Sequence, residues 1–298
     1  MASLSQWVQG ARPRTLPAAL APVAAGTGAA VWQLQSLPGD VDWSLVISRA
    51  LLALAVSFSL QIGVNYANDY SDGIRGTDDD RVGPFRLTGS GAAAPATVKR
   101  AAILALALGG LFGLALIALA QIWWALVVGA AAIAAAWFYT GGKKPYGYLG
   151  LGELFVFVFF GLVAVNGTAY AITQQPTWVA LLASVAIGLL AVALMLTNNL
   201  RDIPTDEVAG KRTLAVRLGQ RGTRGLYTAM LLVPFVLMVP VIVEQWPVAL
   251  VLLALPLAIG PARTVLGGAR GRDLIPVLGA TGRLELVYSL LLLIGLIL

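Results

Sequence analysis

The stretch NYANDYSD, residues 65–72, places amides and carboxylates at the end of an apolar run that is long enough to cross a membrane. If the helix that precedes it continues through this point, Asn65, Asn68, Asp69 and Asp72 have the spacing i, i+3, i+4 and i+7 and share one helix face. Ionisable groups inside a bilayer are costly, and they usually face a protein cavity. The stretch therefore predicts a polar binding site within a membrane protein.

The composition indicates the same environment for the rest of the chain. Hydrophobic residues make up 58% of the 298 residues, charged residues make up 11%, and the mean hydropathy is +0.83. The chain has no Cys and no His, which excludes thiolate and imidazole metal sites and disulfides. Its net charge of +6 comes from basic residues dispersed through loops, so it indicates membrane topology and no nucleic-acid partner.

Apolar segments of about 20 residues are long enough to cross the hydrocarbon core as helices. The pattern predicts an all-α, polytopic membrane protein, in which residues 1–298 form one domain of about nine transmembrane helices. The expected spans are residues 15–34, 43–67, 101–120, 123–140, 150–173, 178–200, 225–243, 247–262 and 284–298. Prolines interrupt the eighth span and the ninth is short, so eight or ten spans stay open.

Basic residues are distributed unevenly between the two sides of this bundle. With nine spans, one side receives every Lys and Arg except Arg49, and the short connections on the other side contain none. Basic loops favour the cytoplasmic side, so we expect a protein of the plasma membrane with a cytoplasmic N-terminus and an external C-terminus. Arg49 lies about two turns into the second span and is expected to extend to the outer interface.

A second polar cluster, TNNLRDIPTDE at residues 197–207, closes the sixth span. Asn199, Asp202 and Asp206 are spaced i, i+3 and i+7 on one helix face, and Pro204 is expected to kink or end the helix. Both clusters follow an apolar span and precede a basic loop that contains glycine. They predict a weak internal repeat and one shared cavity that faces the cytoplasm.

Grouped carboxylates repel one another, and in a low dielectric they take up protons unless a cation neutralises them. Mg²⁺ prefers oxygen ligands and is commonly held by one or two carboxylates together with substrate phosphates. Asp69, Asp72, Asp202 and Asp206 are therefore candidate ligands for Mg²⁺ and a diphosphate. The alternative explanation of these aspartates is a set of structural salt bridges to loop arginines.

Two motifs, NDYSD at 68–72 and DIPTD at 202–206, resemble the paired Asp-rich motifs of the UbiA-type intramembrane prenyltransferases. Longer strings are similar to the branch of that family that prenylates 1,4-dihydroxy-2-naphthoate in menaquinone synthesis. These strings are ARPRTLPAALAPVAAGT (11–27), NDYSDGIRGTDDDRVGPFRLTGSG (68–91), YTGGKKPYGYLGLGE (139–153) and NNLRDIPTDEVAGKRTLAVRLG (198–219). Many members have a third aspartate where this chain has Gly76, so the resemblance transfers that ligand to Asp78.

The resemblance implies transfer of a polyprenyl group from polyprenyl diphosphate to 1,4-dihydroxy-2-naphthoate with loss of carbon dioxide, giving demethylmenaquinone and diphosphate. It implies Mg²⁺ at the five aspartates and a diphosphate clamp beside them. The clamp candidates are Asn65, Asn68, Lys143, Lys144, Arg201 and Lys211. Tyr139, Tyr146 and Tyr148 are candidates for the acceptor or allylic-cation pocket, although an interfacial aromatic belt explains them equally well. Arg12 or Arg14 is a candidate for the acceptor carboxylate.

Two other functions stay open at this point. A sister prenyltransferase would use 4-hydroxybenzoate, homogentisate, haem or a sugar phosphate, and only the acceptor pocket would separate it. A cation transporter would carry acidic groups near the middle of its spans, whereas both aspartate clusters lie at one end. No residue pattern marks the length of the prenyl chain.

Overall fold

The structure, a computed structural model, describes residues 2–75 and 85–298. Within those two ranges every regular element is helical. The α-helices are α1 (Leu4–Gly10), α2 (Pro17–Gln35), α3 (Trp43–Gly73), α4 (Pro95–Ala120), α5 (Ala125–Phe138), α6 (Gly152–Val156), α7 (Ala164–Thr173), α8 (Trp178–Val208), α9 (Leu214–Leu237), α10 (Val239–Glu244), α11 (Leu255–Leu266) and α12 (Leu274–Ile297). A π-helical segment, Phe157–Val163, joins α6 to α7, and a 3₁₀ segment, Trp246–Ala254, leads into α11.

The expected all-α bundle is confirmed. In the described part of the chain, 7 helical units are long and apolar enough to cross a membrane, and the bent N-terminal pair Leu4–Thr15 and Pro17–Gln35 makes up to 8. The predicted span at 123–140 is α5, which has only 14 residues. At a rise of about 1.5 Å per residue, α5 is shorter than a hydrocarbon core of about 30 Å.

Two helix boundaries differ from the expectation. α3 continues through residue 73, as the spacing of its polar residues predicted, but α8 also continues, through Pro204 to Val208. Pro204 was expected to kink or end this helix, and the second alternative is wrong, because the residues after it stay helical. α12 begins at Leu274, ten residues before the predicted start at 284.

The π-helical segment packs directly on α8. A Cβ atom added at Gly161 would come within 2.6 Å of Gly188 Cα and of Ser184 O, so these two helices touch through their backbones. π-Helical turns inside α-helices are frequent at functional sites. The close contact fixes the segment beside the part of α8 that leads to the second aspartate cluster.

Arg49 reaches the end of the bundle at which α4 and α7 finish, the side expected to be external, but it is buried there. Its side chain is 9% exposed and donates hydrogen bonds to the carbonyl oxygens of Ala171 at 2.7 Å, Ile172 at 3.1 Å and Leu119 at 3.3 Å. These carbonyls belong to the last turns of α7 and α4, where carbonyl oxygens have no partner within their own helix. Arg49 therefore caps two neighbouring helices.

Candidate active site

A cavity of about 650 Å³ extends from the two aspartate clusters along the inside of the bundle. Its polar end is lined by side chains from α3, α8 and the loops that follow α5 and α8. These include Asn68, Asp72, Thr140, Tyr148, Asp202, Asp206 and Lys211. The remainder is mostly apolar and reaches Ile122, Trp124 and Tyr170 at the opposite end of the bundle. The cavity thus combines a charged head with a long apolar body.

Asp72 is the centre of the first cluster. Its carboxylate accepts a hydrogen bond from Tyr148 Oη at 2.9 Å and lies 3.6 Å from Arg86 Nη2 and 3.7 Å from Lys211 Nζ. Asn68, one turn earlier on α3, accepts a hydrogen bond from Thr140 Oγ1 at 2.8 Å. Buried charge is stable only when it is paired and hydrogen-bonded, and these contacts supply both.

Asp69 differs from its neighbours, because its carboxylate does not line the cavity. The backbone amide of Leu87 donates to Oδ2 at 2.7 Å and that of Thr88 donates to Oδ1 at 2.8 Å, and Asp69 is 1% exposed. The expectation that Asp69 faces the cavity with Asp72 is therefore corrected. Asp69 anchors the chain segment that carries Arg86.

Asn65 ties the N-terminal segment to α3. Its Nδ2 donates to Ala11 O and to Thr15 Oγ1, both at 3.0 Å, and Gln61 Nε2 donates to the same hydroxyl at 2.9 Å. Between these two anchored residues, Arg12 has a left-handed backbone with φ 54°. Such a conformation is costly for a residue with a Cβ atom and persists when the surrounding contacts hold it.

The N-terminal arginines are thereby separated. Arg12 lines the cavity, whereas Arg14 is exposed and does not. Of the two candidates for the acceptor carboxylate, the fold brings only Arg12 to the site. Asn65 donates to the carbonyl of Ala11, and the Thr15 hydroxyl donates to that of Arg12. These two contacts hold the backbone of Arg12 beside the cavity.

The second cluster lies at the end of α8. Arg201 donates to both carboxylate oxygens of Asp202, from Nε at 2.7 Å and from Nη2 at 2.8 Å, and both residues are buried. Asp206 follows one turn later on the same face and also lines the cavity. α3 and α8 each have 31 residues, and each carries one of the two clusters near its C-terminal end.

Lys211 connects the two clusters. Its backbone amide donates to Asp206 O at 2.8 Å, its ammonium group lies 3.7 Å from Asp72, and it stands 4.5 Å from the centre of the Tyr148 ring. Lys143 and Lys144, by contrast, are exposed and do not line the cavity, so the structure does not bring them to the expected clamp. Asp78 lies outside the described residues.

The three candidate tyrosines all line the cavity. Tyr146 stacks on Phe155 with ring centres 4.0 Å apart and lies 5.6 Å from the Tyr139 ring. Burial raises the pKa of the Tyr146 hydroxyl, which donates to Ala135 O at 2.8 Å. The rings of Tyr139, Tyr146 and Phe155 thus form an aromatic part of the cavity wall, and Tyr148 contacts Asp72.

Sequence reasoning missed two buried glutamates. Glu153, at the start of α6, accepts a hydrogen bond from Asn199 Nδ2 at 2.7 Å. Glu285, in the middle of α12, is 0% exposed, and neither of its oxygens has a hydrogen-bond partner among the described residues. Glu153 carried a signal, since it closes the quoted string 139–153. Glu285 does not line the cavity that contains the two aspartate clusters.

Comparison with known proteins decides the family. Residues 19–273 match the profile of the UbiA prenyltransferase family. The chain belongs to this family. The 1,4-dihydroxy-2-naphthoate octaprenyltransferase of Mycobacterium tuberculosis is 57% identical over 97% of this chain and 96% of that protein. The protein of the same name from Escherichia coli is 39% identical over 98% and 95% of the two chains.

Solved structures of UbiA homologues share the fold. The apo homologue from Aeropyrum pernix has a TM-score of 0.67 at 17% identity, covering 93% of this chain and 97% of that chain. A homologue from Archaeoglobus fulgidus bound to DMAPP and Mg²⁺ has a TM-score of 0.59 at 16% identity, covering 97% and 99%. Together with the apolar helices, the family identifies this chain as an integral membrane protein.

The donor set of this UbiA-family cavity fits a metal that is shared with a substrate. Within residues 2–75 and 85–298, no three acidic side chains form a metal site by themselves. The cavity instead offers carboxylates on two different helices, with Asn68 beside them. Mg²⁺ typically takes one or two carboxylates and completes its coordination with waters and substrate phosphates, which is what this arrangement permits.

Proposed function

We propose that this protein transfers a polyprenyl group from polyprenyl diphosphate to 1,4-dihydroxy-2-naphthoate. The observation that carries the proposal is the cavity itself, in which carboxylates and cations occupy one end and apolar side chains line the rest. A prenyl diphosphate has the same division into an anionic head and an apolar tail. The identity of 57% to a naphthoate octaprenyltransferase over nearly the whole chain supports the naphthoate as acceptor.

The diphosphate binds at the polar end. Asp72, Asp202 and Asp206 would hold Mg²⁺, and the bound ion would offset the negative charge that develops on the leaving group. In the structure, Arg86 and Lys211 lie beside Asp72. These cations are within reach of a phosphate bound between the clusters, and fixed charges of this kind stabilise a departing anion.

The reaction breaks the bond between C1 of the prenyl chain and its oxygen, and diphosphate leaves with the electron pair. The ring carbon that carries the carboxylate forms the new bond to C1. Carbon dioxide then leaves, and its bonding electrons restore the aromatic ring. The product is the quinol, which air oxidises to demethylmenaquinone.

The cavity residues protect the allylic cation during this exchange. Tyr139, Tyr146 and Phe155 line the wall beside the polar end, and aromatic faces stabilise a cation while excluding water. Arg12 binds the carboxylate of the acceptor as a planar, permanently charged donor. The tail lies along the apolar body, between α5 and the π-helical segment.

The direct test uses protein purified into lipid with Mg²⁺, labelled 1,4-dihydroxy-2-naphthoate and a series of prenyl diphosphates, with 4-hydroxybenzoate as a competing acceptor. We expect Mg²⁺-dependent prenylation of the naphthoate and release of its carboxylate as carbon dioxide. Preference for 4-hydroxybenzoate would move the protein to a sister branch. Magnesium-independent diphosphate binding without any transfer would contradict prenyl transfer.

We further propose that the polar end of the cavity faces the cytoplasm, because the basic loops lie at that end. A reporter fused after Gly210 should then be cytoplasmic, and one fused after Gly39 should be external. Both reporters on one side would contradict this orientation.

A further inference from the structure

We infer that Glu153 is a positioning residue for the side-chain amide of Asn199, and that Asn199 accepts a hydrogen bond from a phenolic hydroxyl of the acceptor. The inference rests on the proposed prenyl transfer and adds the place where the acceptor hydroxyl is recognised. It concerns two polar residues to which the reaction steps above assign no role.

The orientation of the Asn199 amide follows from its partner. Its Nδ2 donates to Glu153 Oε1 at 2.7 Å. A carboxylate has no hydrogen to donate, so the NH₂ group must face it, and the carbonyl oxygen Oδ1 lies on the opposite side of the planar amide. Since Asn199 lines the cavity while Glu153 is buried behind it, Oδ1 is the atom available to a bound molecule.

Asn199 lies where the reacting ring must sit. It shares a helix face with Asp202 and is three residues further along α8 toward the apolar body, a rise of about 4.5 Å. On the neighbouring wall, a Cβ atom added at Gly152 would be 3.3 Å from Tyr139 Cε2 and 3.3 Å from Met195 Sδ. A single acceptor oxygen beside apolar walls suits an aromatic ring that carries a hydroxyl group.

The state of Glu153 supports a functional role. The residue is 5% exposed, and its second oxygen, Oε2, has no hydrogen-bond partner among the described residues. A buried carboxylate with an unsatisfied oxygen destabilises the fold. The hydrogen bond that Glu153 makes goes to a cavity-lining amide, and it fixes the direction of that amide.

The test combines single variants with an exchange of the pair. Glu153→Gln no longer dictates the amide orientation, because a glutamine side chain can either donate or accept. We expect the KM for the acceptor to rise about 10- to 100-fold, with the KM for the donor unchanged. Asn199→Asp places two carboxylates together and should be worse. The double variant E153Q/N199D restores one donor facing one carboxylate and leaves an acceptor oxygen in the cavity, so it should return the acceptor KM to within about threefold of wild type.

Hydroxyl recognition has its own readout. Wild type and Glu153→Gln are compared on 1,4-dihydroxy-2-naphthoate and on the two naphthoates that lack one hydroxyl. A site built to bind a hydroxyl discriminates against the analogue without it. The ratio of kcat/KM for 1,4-dihydroxy-2-naphthoate to kcat/KM for the analogue should therefore be lower in Glu153→Gln than in wild type, for one of the two analogues. The intrinsic reactivity of each ring cancels, because both enzymes meet the same compounds.

Glu285→Gln is the matched control, because it neutralises another buried glutamate that does not line the active-site cavity. It should leave both KM values unchanged. Equal changes in donor and acceptor KM in Glu153→Gln, or unchanged discrimination between the analogues, would overturn the inference. If Glu153→Gln fails to fold, the double variant carries the test, since its discrimination must match wild type. Absence of naphthoate transfer by wild type would contradict the proposed function instead.

Discussion

Asp69 and Asp72 are three residues apart, and the structure gives them different tasks that a pair of substitutions can separate. Asp69→Asn replaces one carboxylate oxygen by an NH₂ group, which must face either the Leu87 or the Thr88 amide. Hydrogen bonds to a charged acceptor contribute about 1.5–3 kcal/mol each and a neutral one about 1 kcal/mol, so the segment around Arg86 loses about 2–5 kcal/mol of local stability.

The expected effect on turnover is indirect. Arg86 lies 3.6 Å from Asp72 and depends on this segment for its position, so Asp69→Asn should lower kcat/KM about 10- to 100-fold. Asp72→Asn removes a carboxylate that faces the cavity and should lower kcat/KM about 10³-fold or more. Hydrogen exchange at the amides of Leu87 and Thr88 should accelerate in Asp69→Asn and stay unchanged in Asp72→Asn.

The dependence on magnesium supplies a further measure. The concentration of Mg²⁺ at half-maximal rate should stay near the wild-type value in Asp69→Asn, because that side chain does not line the cavity. The reasoning is refuted if Asp69→Asn loses as much turnover as Asp72→Asn while its Leu87 and Thr88 amides remain protected. Asp69 would then act on the substrate or the metal.

Two further predictions use matched variants. Lys211→Ala removes the cation that joins the clusters and should raise the KM for the diphosphate about tenfold or more in steady-state kinetics. Lys144→Ala changes an exposed residue and should leave this KM unchanged. Equal effects of the two variants would mean that Lys144 also binds the diphosphate. Ala132→Phe places a large side chain on the cavity face of α5 and should lower kcat/KM for long donors at least about tenfold relative to geranyl diphosphate. Val127→Phe, on the exposed face of α5, should not change this ratio. An equal loss of kcat/KM for all donors would mean that the tail does not pass Ala132.

The helical bundle and the two clusters could be predicted from the sequence because hydropathy and helical spacing are local properties. Asn68, Asp72, Asp202 and Asp206 all line one cavity, as their spacing implied. Asp69 fits the same spacing, yet its partners come from a segment 18 and 19 residues later in the chain. Periodicity places a residue on a helix face but does not say which loop covers that face.

Loop side chains were harder to predict for a related reason. Lys143 and Lys144 adjoin the cavity-lining Thr140 in sequence, and Gly142 has φ 80°. The chain turns at this glycine, and the two lysines point into solvent. Glu153 was overlooked because an acidic residue at a helix start is ordinary, and only the contact with Asn199 distinguishes it.

Charge balance at the polar end predicts that metal and diphosphate bind together. Among the described residues that line the cavity, the carboxylates of Asp72, Asp202 and Asp206 face the cations Arg12, Arg86, Arg201 and Lys211. These opposite charges nearly balance, so a diphosphate alone would add a large negative excess, and Mg²⁺ alone would find carboxylates already paired with cations. Binding Mg²⁺ and diphosphate together changes the net charge of the cavity least, and a buried site tolerates little net charge.

Calorimetry on the protein in lipid can measure this dependence. We expect chelation of Mg²⁺ to weaken binding of a non-hydrolysable prenyl diphosphate analogue at least about 100-fold, and Mg²⁺ without the analogue to give no measurable binding at the concentrations that support turnover. By linkage, each ligand must tighten the other by the same factor. Tight binding of Mg²⁺ to the protein alone would contradict a site that is completed by its substrate, and it would require a preformed metal centre that the carboxylates of the described residues do not form.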